Sequence, residues 1–231
     1  MEITDEKFLE CYCNWCSYVN WHTAQTLLAQ MNKDTSIEPK KALFIKIFFE
    51  FMQAGEHLIL LVDTIKKSKE LDGFHHRFTE SKTQGDGFRY LWDDLKEFED
   101  DKYVLFEYLG TRLSEDEYSS EKKVNDGIFS GILTCLQNRY GTETSGNSNL
   151  MKSYNKIKHG FTLYTDIGSE DIYIIHRQST NTNGVKGMKT EVITQRYDPE
   201  FAQGMCNHLE AMRNTFMNVC DLILKSGIKP S

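Results

Sequence analysis

The chain has 231 residues, a formal net charge of -7, 26% charged residues and 39% hydrophobic residues. This composition is typical of a folded globular protein and excludes a disordered or collagen-like chain. The acidic balance argues against nonspecific binding of long duplex DNA, which requires a basic surface.

The first predicted helix covers about residues 4–31. Thr4 is a suitable N-cap, because its hydroxyl can accept from a backbone N–H of the first turn. The side chains expected to face the core recur at helical spacing: Phe8, Tyr12, Trp15, Val19 and His22.

The second predicted helix begins at Ser36-Ile37-Glu38-Pro39 and runs to about Lys69. Proline is tolerated in the first turn, where its missing N–H has no partner. The helix is apolar around most of its circumference, which predicts the central helix of a bundle. Its stretch 42–65 contains several charged residues, so we expect a buried helix and no membrane span.

Glycines indicate a loop over residues 72–87, followed by a helical pattern over 88–113 with a break near Asp100-Asp101. Further helices are expected over 124–140 and over a short segment ending at His159, where Gly160 stands at the usual C-terminal glycine position.

After Gly160 the sequence no longer shows the hydrophobic spacing of a helix. Residues 171–176 and 190–197 are β-branched and aromatic, and the tract 179–187 between them is rich in Asn, Thr and Gly, which predicts a β-hairpin with a long tip. Asp198-Pro199-Glu200 is a strong helix start, and the last helix is expected to reach about Lys225. The predicted class is all-α: one domain over residues 1–231, an antiparallel helical bundle with a small β-hairpin inserted at about 166–197 before the last helix.

Three cysteines crowd together at Cys11, Cys13 and Cys16, and the other three are far apart along the chain. A closed zinc site needs four converging ligands, and no second pair with ligand spacing exists. The adjacent His75 and His76 also have no partner motif. We therefore expect reduced, mainly buried thiols in a cytoplasmic protein, with no metal and no cofactor, because no secretory signal is visible before Phe8.

Two carboxylates, Glu50 and Glu56, lie inside the most apolar helix. A charged group in such surroundings must be paired or must face a cleft. Together with Tyr154, they are candidates for a functional pocket. Positions of the helix that emerge at the surface would explain them equally well.

The charge is unevenly distributed: residues 86–121 contain 12 acids and 4 bases, whereas 145–197 contain 7 bases and 4 acids. Residues 145–165 contain no acid. On a helix, Asn155 and His159 share a face with Lys152, and Lys156 lies close by. A histidine in a last turn can exchange a proton near neutral pH, and neighbouring ammonium groups can stabilise a phosphate. Solvated helix faces are the alternative interpretation.

The segment 151–160 resembles the signature of the HEPN (higher eukaryotes and prokaryotes nucleotide-binding) superfamily. Many members have an arginine, a polar residue, three further residues and a histidine, used in metal-independent RNA cleavage. Asn155 and His159 match the polar residue and the histidine, whereas Tyr154 stands at the arginine position. The resemblance implies an antiparallel helical bundle, a homodimer and a bacterial toxin–antitoxin or phage-defence setting.

Two functions are open at this point. The first is a dimeric module that binds a nucleotide, RNA or a protein such as a nucleotidyltransferase-like antitoxin, without cutting. The second is an endoribonuclease in which His159 is the general acid/base, Asn155 orients the substrate or the histidine, and a lysine replaces the arginine. The residues expected to contact phosphate or RNA are the lysines of the motif segment: Lys152, Lys156 and Lys158.

Overall fold

A computed structural model describes residues 4–68, 70–80, 89–98, 100–140, 154, 163–165, 167–182 and 185–227. It confirms the predicted class, a helical bundle with a small antiparallel sheet before the last helix. The helices are α1 Asp5–Lys33, α2 Ile37–Lys67, α3 Phe74–Glu80, α4 Arg89–Leu95 with a 3-10 turn Lys96–Phe98, α5 Lys102–Tyr108, α6 Glu115–Ser120, α7 Lys122–Tyr140 and α8 Pro199–Ser226. The strands are β1 Leu163–Thr165, β2 Asp171–Thr182 and β3 Val185–Arg196.

Helix α1 begins as predicted, because the Thr4 hydroxyl accepts from Lys7 N. Its buried face differs from the predicted one. The prediction that Trp15 and His22 face the core is wrong, since both are exposed. The core side of α1 consists mostly of small or slender side chains: Leu9, Cys13, Cys16, Asn20, Ala24 and Leu28. Small side chains permit close helix approach, so the larger rings lie beside this contact.

Helix α2 is the central helix, as predicted, and packs against α1, α7 and α8. It buries apolar side chains along most of its length. No helix in the described part of the chain is long and apolar enough to cross a membrane.

The expected loop over 72–87 is wrong for residues 74–80, which form α3. Phe74 and Phe78, four residues apart, are both buried. Phe78 packs edge-on against Phe8 and Tyr12 of α1. This apolar pair stabilises a short helix, which was not predicted because the nearby glycines indicate a loop.

The predicted break near residue 100 is confirmed. Asp101 accepts from Val104 N and begins α5. Helix α6 was not expected; it begins with a capping box in which Ser114 and Glu117 bond reciprocally. Helix α7 agrees with the predicted 124–140.

The hairpin is confirmed, but its strands are longer than expected. β2 and β3 remain paired from Asp171↔Arg196 to Thr182↔Val185, so most of the predicted tip is strand. The Asn- and Thr-rich tract pairs because its backbone groups continue the ladder. β1 pairs antiparallel with β2 and adds a third strand.

Asp198 caps α8 as predicted, accepting from Glu200 N and Phe201 N. Gly227 ends the helix with a φ of +69°, a conformation that favours glycine. α8 packs against α1, α2 and α7 and completes the core.

Candidate functional site

The structure gives a partial view of the predicted motif. Of residues 151–160, it describes Tyr154, which is helical. The remaining motif residues lie outside the described part of the chain: Lys152, Asn155, Lys156, Lys158 and His159.

Tyr154 is a core residue with 1% of its surface exposed. Its hydroxyl donates a hydrogen bond of 2.6 Å to Glu56 Oε2, and both groups are buried. Its ring also lies 5.6 Å from the ring of Phe49, measured between centroids. Tyr154 is therefore fixed against α2 inside the bundle.

The space beside Glu56 is small. A cavity of about 10 Å³ lies between Glu56, Gly55 and Met212. This volume is roughly what one water molecule needs. In the structure, Glu56 accepts a hydrogen bond from the Tyr154 hydroxyl in the core.

Glu50 is half-buried on α2, and its Oε2 accepts a hydrogen bond of 2.7 Å from Asn20 Nδ2 of α1. Asn20 also donates to Gln53 Oε1 at 3.3 Å. Burial raises the pKa of Glu50; the bond from Asn20 opposes this shift but does not cancel it. Glu50 thus belongs to a polar contact between α1 and α2, separate from the Tyr154–Glu56 pair.

Of the crowded cysteines, Cys13 and Cys16 are buried as expected, and Cys11 is exposed. Across the described ranges, no three His, Cys, Asp or Glu side chains are placed to hold one metal ion.

Asp5 and His75 form a contact that the sequence analysis did not predict. Asp5 Oδ1 lies 2.7 Å from His75 Nδ1 and also accepts from His75 N, while Oδ2 accepts from Gly73 N. The pair lines an open surface depression of about 610 Å³, and Glu6 and His76 also line it. Asp5 therefore orients the imidazole and joins α1 to α3. No sequence pattern links two residues so far apart.

A second feature missed from the sequence is an open cleft between α1 and α8, which we call the aromatic cleft. It has a volume of about 730 Å³. Its apolar surface comes from Trp15, which is 68% exposed, Tyr18, which is 47% exposed, and Met217. Its polar lining consists of Lys7, Glu10, Cys11, Asn14 and Arg213.

Arg213 is the distinctive charge of the aromatic cleft. Its guanidinium carbon lies 4.6 Å from the ring centroid of Trp21, a cation–π contact. Lys7 is paired with Glu10 at 2.8 Å, so these two charges neutralise each other. Among the residues that the structure describes, no carboxylate forms an ion pair with Arg213.

Comparisons with known proteins give no relative: no family model, curated protein or solved structure matches this chain.

Proposed function

We propose that this protein is a HEPN-like helical module that binds RNA or a nucleotide through the basic segment 152–158, without cleaving it. The observation that carries the proposal is the burial of Tyr154 against Glu56. In the family pattern, an arginine at this position binds the scissile phosphate. A tyrosine whose hydroxyl is bonded inside the core supplies neither the charge nor the bidentate donors of that arginine.

The local charge supports phosphate binding. Residues 145–165 contain Lys152, Lys156 and Lys158 and no acid. Cations without neighbouring acids concentrate anions locally, even on a protein whose net charge is negative.

The experiment measures binding and cleavage in the same sample. A fluorescently labelled short single-stranded RNA is titrated with purified protein in the presence of EDTA, and binding is followed by anisotropy. We expect saturable binding that weakens as salt rises, because each phosphate contact releases counterions. Gel analysis of the same samples should show intact RNA.

A matched pair of variants locates the interaction. Lys152→Gln should weaken RNA binding, whereas Lys46→Gln, which removes an exposed lysine of α2, should leave it unchanged. Equal affinity of Lys152→Gln and wild type would disprove binding through this segment. RNA cleavage by wild type that His159→Ala abolishes would instead establish the ribonuclease alternative.

The homodimer and the nucleotidyltransferase-like partner implied by the resemblance remain predictions. Sedimentation of the purified chain tests the first, and co-purification with such a partner tests the second.

A further inference from the structure

We propose that the aromatic cleft between α1 and α8 binds a small molecule with a planar aromatic ring and one anionic group, such as a nucleoside monophosphate or an aromatic carboxylate. This inference goes beyond the proposed function, because the cleft is lined by residues of α1 and α8.

The aromatic part of the inference depends on Trp15 and Tyr18. They are three residues apart, so they lie on the same side of α1. Both are well exposed in a protein that buries most of its large apolar side chains. A planar ring that stacks on them removes apolar surface from water and gains the offset contact that aromatic pairs prefer.

The anionic part depends on Arg213. Its contact with the face of Trp21 restrains the guanidinium plane, which reduces the entropy that binding must remove. The N–H groups of a guanidinium match a carboxylate or phosphate in a bidentate manner. Glu10, the acid that lines the cleft, is paired with Lys7, so the lining keeps one net positive charge.

The dimensions favour a small ligand. The cleft has a volume of about 730 Å³, within the ~300–1,000 Å³ typical of small-molecule sites. The occupant that fits is therefore a single ring system with its charge at one end.

The test uses the intact protein and the indole N–H signals of its 3 tryptophans in ¹H–¹⁵N NMR spectra. The probes are AMP, benzoate, adenosine and inorganic phosphate. We expect AMP or benzoate to shift the signals of Trp15 and Trp21 in a saturable way. The signal of Trp92, which lies on α4 and is not part of the cleft lining, should stay unchanged.

Two variants separate the ring from the charge. Arg213→Gln should weaken binding of the anionic probe about tenfold or more, to the level of adenosine, because a charge-assisted bond is lost. Trp15→Ala should abolish binding, and since Trp15 is exposed, the fold should be retained. Lys33→Gln, an exposed lysine at the far end of α1, is the matched control and should bind like wild type.

Four results would overturn the proposal. The first is the absence of any Trp15 shift with AMP and with benzoate. The second is unchanged affinity in Arg213→Gln, and the third is inorganic phosphate binding as tightly as AMP. The fourth is an oligomer that dissociates in Trp15→Ala, which would make this surface a protein–protein contact. Binding of AMP alone would specify a phosphate ligand, and binding of benzoate as well would establish the wider class.

Discussion

Gly131 of α7 lies directly against Thr215 of α8: a Cβ atom added at Gly131 would come within 2.1 Å of Thr215 Oγ1. Thr215 is buried, and its hydroxyl donates to Ala211 O at 3.0 Å. The missing side chain at position 131 thus sets how closely the two helices approach.

Gly131→Ala is expected to destabilise the protein by about 1–3 kcal/mol, because the new methyl group forces α8 or Thr215 to move. Gly127→Ala, one helical turn earlier, meets no atom within 4 Å and should stabilise by up to about 1 kcal/mol through helix propensity. Urea denaturation of both variants measures the difference. Equal effects of the two substitutions would contradict the close approach.

Tyr154→Phe tests the buried bond to Glu56. Removing the hydroxyl takes a donor from a buried carboxyl group, which should cost about 1–3 kcal/mol of unfolding free energy. Tyr18→Phe removes an exposed hydroxyl and should change stability by less than about 0.5 kcal/mol. A loss no larger in Tyr154→Phe than in this control would show that the bond contributes little.

The free energy of unfolding of Glu50→Gln, relative to that of wild type, should increase as the pH rises. Burial raises the pKa of Glu50, so the folded protein binds this proton more tightly than the unfolded chain. Wild type therefore loses stability as the pH rises from about 4.3, the unfolded pKa, through the folded value, and the glutamine variant does not. Denaturation curves at about pH 4 and about pH 8 compare the two proteins, with Glu10→Gln as the exposed control. A difference between Glu50→Gln and wild type that is the same at both pH values would contradict this ionisation.

Asp5→Asn should show the opposite pH dependence. Burial acts to raise the pKa of Asp5, but hydrogen bonds from His75 N, the His75 ring and Gly73 N outweigh it and lower the pKa. The carboxylate stabilises the protein fully when the pH is above the unfolded pKa of about 3.9. This stabilisation is lost as the pH falls through the pKa of Asp5 in the folded protein. The variant should be less stable than wild type at neutral pH, and the gap should narrow in acid. Glu6→Gln, an exposed carboxylate beside it on α1, is the matched control.

Lys41→Met tests how the hairpin is joined to the bundle. Lys41 is fully buried on α2, and its Nζ donates to Ser169 O at 2.8 Å, just before β2. Loss of this donor should lower stability by about 1–3 kcal/mol and speed amide hydrogen exchange in β2 and β3. Lys46→Met, exposed on the same helix, should change neither. Unchanged exchange in Lys41→Met would mean that other contacts hold the hairpin.

Local signals predicted much of this fold. Asp198-Pro199 fixed the start of α8, and Thr4 fixed that of α1, because capping depends on residues within one turn. Helix α3 was missed because Phe78 is stabilised by Phe8 and Tyr12, which are distant in sequence.

The candidate sites were harder to predict. The periodic pattern of α1 contains two apolar faces, and sequence alone does not say that Cys13 and Ala24 are buried more fully than Trp15. Helix packing decides this, because close approach favours small side chains. Tyr154 and Glu56 are far apart in the chain. The sequence indicated both residues as pocket candidates, but it did not predict the hydrogen bond between them.

The packing of α1 against α8 has a consequence for the order of folding. α1 and α2 are adjacent in sequence and meet at little cost in loop entropy, whereas α8 returns to α1 only after nearly the whole intervening chain. During synthesis, α1, α2 and α7 leave the ribosome with the α8-facing side of their core still uncovered. The apolar stripe of α8, including Leu209 and Phe216, completes that core last. Until then the nascent chain exposes apolar core surface to water, which favours aggregation.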